Sequence, residues 1–415
     1  MELNKQTSQN NYHAFLWHAV FLALATNFMD VDTIIPIMML DAGGTSLQLG
    51  ILIAIMLGGG NIAQLFFTTF LNNQSLKKGY LLGGINARVF ALGGMSLLFY
   101  FSFLINDSFI IWSIFILISL FSLSGAFANI NYVDIFGKSI LQEKRKAFFS
   151  IKQVISSILV FLSAFVAKDI LSEYGYPINY ATLFIIAAIL LTIASFGFWK
   201  IHEIQTPNSR INGLKEFVHV AIQEIRTSKN LRNYLFLINT QGISIVLMPF
   251  LTLYAKSTFD AGSNDIGNFL LLKVIGIVIT GSIIFYYSKR VRYKYLLYIT
   301  STLAILTPLF VLMLPGSTLF PYIFLAGGIV FSIHRISVNG ILLEVTTNEN
   351  RALYTGLTGA GSILPAIFSL LGGWIITEFG FTIFFMLFMF IILLSFYFIF
   401  KINCENRLKN RQSIS

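Results

Sequence analysis

The chain has 415 residues, 56% of them apolar and only 11% charged, with a mean hydropathy of +0.77. The interior of a water-soluble globule cannot enclose that much apolar side chain, so a soluble enzyme or binding domain is excluded. The formal net charge of +10 sits in short loops between apolar runs and not on one face, which argues against a nucleic-acid partner. A single cysteine, Cys404, leaves no internal disulfide and no cysteine-built metal site.

From the N-terminus onward, runs of about 20 apolar residues recur, the length a helix needs to cross a hydrocarbon core of about 30 Å. Helices are implied because an isolated strand leaves its amides unpaired in lipid. The first six runs fall at about 14 to 40, 46 to 71, 79 to 104, 108 to 135, 149 to 171 and 178 to 200. A second six fall at about 231 to 256, 266 to 288, 294 to 314, 319 to 344, 352 to 377 and 380 to 402. The first run contains Asp30 and Asp32 and is too long for a cleavable signal peptide, so it reads as a retained span.

The expected class is therefore an all-α membrane protein of twelve transmembrane helices. Its divisions are a bundle over 1–200, a linker over 201–230, a second bundle over 231–402 and a tail over 403–415. Within the linker, Leu214, Phe217, Val218, Ala221, Ile222 and Ile225 recur at helical spacing, which predicts an amphipathic helix tethering the halves.

Lys77, Lys78, Lys138, Lys144, Arg145 and Lys146, then Lys289, Arg290, Arg292 and Lys294, then Lys401, Arg407, Lys409 and Arg411 all fall on one side. The positive-inside rule makes that side the cytoplasm and places both termini there. Abundant phenylalanine, isoleucine and asparagine with short loops point to a bacterial cytoplasmic (inner) membrane.

The halves repeat. Glu143-x-Arg145 precedes the fifth span as Glu349-x-Arg351 precedes the eleventh, an offset of 351 − 145 = 206 residues. The basic Lys77-Lys78 loop likewise matches Lys289-Arg290-Val291-Arg292. Two pseudo-symmetric six-helix bundles account for both, an arrangement expected of solute carriers.

With these features in place, the sequence resembles the major facilitator superfamily over essentially its whole length. The local resemblance rests on Thr33-Ile34-Ile35-Pro36, on Leu57-Gly58-Gly59-Gly60, and on Gly359 to Trp374 with Pro365 and Gly372-Gly373. It implies a secondary transporter working by alternating access, with the first, fourth, seventh and tenth helices lining its cavity. The family's loop motif between spans two and three survives only as Leu71 to Gly79, without its aspartate and arginine. The Gly-Pro pattern of drug/proton antiporters is missing from Ser150 to Leu171.

A charge at membrane depth costs at least ~2.5 kcal/mol, so each one needs a partner, water or a function. Asp30 and Asp32 lie roughly 24 to 27 Å from the cytoplasmic end of span one, and Lys273 lies roughly 10 Å below the outer surface, at 1.5 Å per residue. Those depths permit a pair across the halves. An enclosed Asp30 is a candidate proton carrier, and Lys273 a candidate anion contact; the bland alternative is that all three reach the outer interface.

In span ten, His334 and Arg335 diverge by about 100 degrees, so one of them faces inward more than the other. Arg335 is the candidate substrate contact and His334 the candidate proton-linked group, against a packed core histidine. Arg88 in span three is expected to be paired structurally. Asn27, Asn61, Gln64, Asn129, Asn131, Asn239, Gln241 and Asn339 complete a polar set, with Asn129, Asn239 and Gln241 on helices that the resemblance assigns to the cavity. Near the cytoplasm, Asp134 with Arg145 and Glu344 with Arg351 are expected to latch an inner gate.

No nucleophile–base set, phosphate loop or metal cluster is present, so no catalytic residue, cofactor or metal is expected and the chain is not read as an enzyme. The function expected is secondary transport of a small organic solute, proton-coupled or facilitative, with Lys273 and Arg335 available for an anionic one. An exporter of hydrophobic drugs or lipids is the alternative, and a non-transporting sensor or assembly partner is the alternative from another class. Expected partners are the solute, protons and membrane lipids, with the chain a monomer.

Overall fold

A computed structural model of the chain describes residues 4–72, 74–204, 214–287, 291–314, 316–345, 358–359 and 361–402. Among those residues every regular element is helical. In chain order they are α1 (Lys5–Thr26), α2 (Ile34–Asp41), α3 (Ser46–Ala54), α4 (Gly60–Asn72), α5 (Lys78–Tyr100), α6 (Asp107–Ser139), α7 (Gln142–Glu173) and α8 (Ile178–Trp199). Then follow α9 (Leu214–Thr227), α10 (Lys229–Gly242), α11 (Leu247–Phe259), α12 (Ser263–Tyr286), α13 (Tyr293–Met313), α14 (Pro321–Val345) and α15 (Leu364–Lys401).

Among the described residues, 10 helices are long and apolar enough to cross a membrane. Two places set the upper bound. Residues between α3 and α4 form a wide π turn, Ile55–Gly59, so the apolar run from Ser46 to Asn72 is continuous but locally widened at its glycines. In α15, Gly380 takes φ 79 and ψ 175, a conformation essentially reserved for glycine. Across that corner Phe368 meets Phe384 and Phe388 at 5.4 and 6.2 Å, so the two arms fold back on each other. The chain thus makes ten to twelve crossings.

Some boundaries differ from the sequence reading. Helix α6 runs to Ser139, and α7 begins at Gln142, which puts Glu143 and Arg145 inside the first turn and not before it. A carboxylate there suits the positive end of the helix dipole, so the polar stretch extends the helix.

The helices form two compact units: Met1–Thr45 with Ile62–Ile211 and Ala261–Leu271, and Ser46–Asn61 with Asn212–Asp260 and Leu272–Ser415. In lipid, helices associate through close packing and hydrogen bonds more than through the hydrophobic effect, and both cores show it. In the first unit, Phe15 of α1 packs edge-on against Tyr132, Phe136, Phe148 and Phe198, centroids 4.9 to 6.4 Å apart. Gly84 lets α5 approach α6 so closely that a Cβ there would lie 3.0 Å from the Ser124 carbonyl oxygen.

In the second unit, Leu231, Tyr234, Leu297, Ile341 and Ile399 from four helices share one buried cluster, and Ile225 of α9 packs against it. A helix is therefore present over the linker segment where an amphipathic one is expected, and its Ile225 packs on that cluster. Helices α12 and α14 touch backbone to backbone: Gly276 faces the Leu325 carbonyl and Gly328 faces the Lys273 carbonyl, with no room for a side chain at either.

Candidate functional site

The first span is broken. After α1, a 3-10 turn over Asn27–Met29 and four non-helical residues lead into α2. Pro36 explains where the helix restarts, since proline is tolerated in a first turn whose N–H groups have no intrahelical partner. Asp30 satisfies the amides that the break frees. Its Oδ1 accepts from the Asp32 amide at 3.1 Å, the Thr33 amide at 2.9 Å and the Thr33 hydroxyl at 2.8 Å. Asn27 anchors the same break to α7 by donating to the Val160 carbonyl and, at 3.0 Å, to the Ser163 hydroxyl. Asp30 and Asp32 are 8% and 6% exposed, enclosed by protein. A broken helix with buried carboxylates is the kind of element transporters use for binding sites.

On α6, Asn129 is exposed and stands ten residues before the helix end at Ser139. On α14, Arg335 is exposed and stands ten residues before Val345. The two are separated by 335 − 129 = 206 residues, the offset of the sequence repeat. One turn on from Arg335, Asn339 is exposed too. His334 is 6% exposed, and its Nδ1 has no hydrogen-bond partner among the described residues. The divergence expected of adjacent helical residues is observed, with the arginine outward and the histidine in the packing.

Lys273 of α12 is 5% exposed, with its ammonium 5.8 Å from the ring of Phe331, one turn before Arg335 on α14. The second unit thus holds Lys273 beside an aromatic ring of the helix that carries Arg335. Asn239 is used otherwise than for lining a cavity. Its amide donates to Leu235 and Gly361 carbonyls at 2.8 and 2.7 Å, and its oxygen accepts from the Ile363 and Leu364 amides at 3.1 and 2.9 Å. Three of its four bonds seat the start of α15, and the fourth returns to its own helix at Leu235. Gln241 is fully buried and donates to the Leu297 carbonyl and the Ser301 hydroxyl, both at 2.8 Å, tying α10 to α13. Both amides hold helices together, since an unbonded amide at this depth is costly.

At the inner ends, Asp134 is held by Lys77 at 3.2 Å and Lys138 at 2.5 Å. Arg145, expected opposite it, donates instead to the Ile140 carbonyl at 3.0 Å and to the Gly137 carbonyl. A guanidinium so near the end of α6 serves the unsatisfied carbonyls there, which explains the exchange of partners. The Glu344 side chain and Arg351 lie outside the described residues.

Three groups absent from the sequence reading stand out. Glu203, just past α8, accepts from the Lys77 amide at 2.7 and 2.8 Å and from the Lys78 amide at 2.7 Å. Lys152 of α7 lies 5.8 Å from the Tyr132 ring, and the Tyr132 hydroxyl is buried without a hydrogen-bond partner among the described residues. A lysine three residues inside the expected fifth span was the available signal for the second; nothing local marks Glu203 or Tyr132. No group of three or more His, Cys, Asp or Glu side chains placed to hold a metal occurs among the described residues.

A helical chain crossing a membrane ten to twelve times, with buried charges beside a broken helix, defines a polytopic carrier-type architecture. The major facilitator superfamily model matches residues 16–362, and the chain belongs to that superfamily. No curated protein matches by sequence. Among solved structures, the nucleoside transporter NupG is similar at 14% identity and a TM-score of 0.66, over 96% of this chain and 100% of that one. A POT family transporter in complex with 5-aminolevulinic acid is similar at 13% identity and a TM-score of 0.70, over 94% and 96%. Another, in complex with a thioalcohol conjugated peptide, gives 11% and 0.69, over 94% of each chain. At such identities the likeness is one of fold.

Proposed function

We propose that the chain is a secondary active transporter that moves a small organic anion across the membrane by alternating access, coupled to protons. The observation that carries this reading is the pair Asn129 and Arg335. Both are exposed at corresponding depths of repeat-related helices, where an amide or a guanidinium facing hydrocarbon is costly, so a wet path is the environment that suits them. Lys273 and Arg335 supply cations for the solute, and Asp30 or Asp32 the carboxylate for coupling. Asp134, Arg145, Glu344 and Arg351 work the inner gate in this reading, His334 packs behind Arg335, and Asn239 and Gln241 brace the second half. The halves divide at the 201–230 linker, both termini face the cytoplasm, and the protein acts as a monomer in a bacterial inner membrane.

Reconstitution into proteoliposomes with an imposed pH gradient tests this, using a panel of labelled organic anions. Accumulation against the gradient of a panel member is expected. Arg335→Gln is expected to lower apparent affinity about tenfold, the equivalent of roughly 1.4 kcal/mol from one charge-assisted contact. Asp30→Asn is expected to abolish accumulation while leaving counterflow. If Asp30→Asn still concentrates the solute under a pH gradient, the coupling assignment is wrong; if no panel member moves at all, a sensor or assembly role replaces transport.

A further inference from the structure

Three polar atoms inside the second unit have no hydrogen-bond partner among the described residues: Gln241 Oε1, Ser244 Oγ and His334 Nδ1. Gln241, Ser244 and His334 are 0%, 4% and 6% exposed, so bulk water does not satisfy them. Buried polar atoms are almost always paired, and three orphans in one unit need an explanation. Ser244 differs from its neighbours. Thr240, Thr300 and Ser337 each donate to the carbonyl one turn back, at 2.7 to 2.9 Å, whereas the Ser244 hydroxyl is turned off its own backbone.

Two contacts fix how α10 and α11 run against α14. At one end the Tyr234 hydroxyl donates to the Val338 carbonyl at 3.3 Å, and at the other the Met248 thioether lies against Gly327. Gln241 stands midway between Tyr234 and Met248, and the midpoint of the facing stretch of α14 falls between Ser332 and Ile333, beside His334. The faces agree as well as the levels. Gln241 lies two turns on from Tyr234 and His334 one turn before Val338, so both turn toward the seam that Tyr234 and Val338 share. Helix α10 ends at Gly242 and tightens into the 3-10 turn Ile243–Ile245, where side chains three residues apart eclipse, so Ser244 stacks on the side of Gln241. All three orphans therefore belong to one layer of the α10–α14 seam.

That layer is polar and carries no counter-charge. From Lys229 to Phe259 the sequence has no aspartate or glutamate, and α14 has only Glu344 at its inner end, so a bound cation would find no carboxylate at this level. A water molecule matches the donor set. It donates to Gln241 Oε1, which can only accept, receives the Ser244 hydroxyl, and shares one bond with His334 Nδ1 in whichever tautomer the ring takes. Three protein partners are the usual complement of a buried water.

We propose that the seam between the α10 break and α14 holds one ordered water molecule, bound by Gln241, Ser244 and His334. It ties the turn where the seventh span changes pitch to the helix that carries Arg335. The site belongs to the packing of the second unit and goes beyond the transport reading, since it stands whether or not a solute crosses the chain.

The test is X-ray hydroxyl-radical labelling of the purified full chain in nanodiscs, read residue by residue by mass spectrometry. A bound water yields radicals in place, so a buried side chain beside it is oxidised although bulk radicals do not reach it. His18 is the internal comparison, because it is 5% exposed and its Nδ1 is engaged by the Ala194 carbonyl at 3.4 Å. His334 is expected to label about fivefold faster than His18, and Ser244→Ala to lower His334 labelling about threefold while leaving His18 unchanged. The drops in melting temperature of Ser244→Ala and His334→Phe are expected to combine to less than their sum, since either change already loses the shared water. Labelling of His334 within twofold of His18 in the parent overturns the proposal, and that comparison needs no variant to fold. Unchanged His334 labelling in Ser244→Ala, or strictly additive melting shifts, also overturns it. A melting temperature that rises saturably with sodium chloride but not with choline chloride, and loses that rise in Ser244→Ala, would put a cation in the seam and equally overturn it.

Discussion

Gly328→Leu is expected to leave almost no folded protein. An added Cβ would overlap the carbonyl oxygen of Lys273, and that carbonyl is backbone in the middle of α12. A rotamer change cannot relieve the clash, so the two helices must separate. Overpacking that a core can absorb costs about 1 to 3 kcal/mol, and a backbone obstruction exceeds that range. Separation would also strip α12 from the partner glycine contact at Gly276, so the losses compound. Size-exclusion profiles and melting in detergent check this, with Gly93→Leu as the control because nothing lies within 4 Å of a Cβ at Gly93. Equal behaviour of the two variants would show that the α12–α14 approach is looser than described.

The second large effect is expected from Glu203→Ala, at about 3 kcal/mol. One carboxylate receives two backbone amides at the start of α5, where amides have no intrahelical partner and the helix dipole favours negative charge. Charge-assisted bonds of this kind contribute about 1.5 to 3 kcal/mol each, and part is recovered by water at a half-exposed site. The loss would spread, because the Lys78 ammonium is bonded to the carbonyls of Trp199 and Ile201 at 2.7 and 3.0 Å, so both ends of the contact are stitched together. A melting temperature lowered by several degrees, with Glu203→Gln intermediate, is the expected result. Unchanged melting would mean that water replaces the carboxylate without cost.

The same contacts show what could and could not be read from the sequence. The apolar runs, the helix Leu214–Thr227 and the divergence of His334 from Arg335 follow from local periodicity, and local periodicity is written in the chain. The break at Asp30 is half legible: Pro36 marks a restart, but hydropathy reports only that the run is apolar, and it passed through Asp30 and Asp32 as isolated charges. Glu203 and Lys77 are 126 residues apart in the chain, and no spacing rule joins them. The loop motif that lacks its aspartate and arginine is instead served by Asp134 on α6 and Glu203 beyond α8, so charges missing locally arrive from distant segments. Asn239 illustrates the reverse error, a polar residue on an expected cavity helix whose four hydrogen-bonding positions are consumed, three by a neighbouring helix start and one by its own helix.

Gly380 bears on how this molecule can be handled. Where the last two helical arms meet, one residue makes the whole reversal, so there is almost no slack chain at that corner. Proteases need an extended stretch to seat in their clefts, and inserted epitopes need ends that can spread without unravelling their flanks. Tag scanning or limited digestion would therefore pass over this corner in silence, and topology mapping would do better at the longer turn between Tyr100 and Asp107.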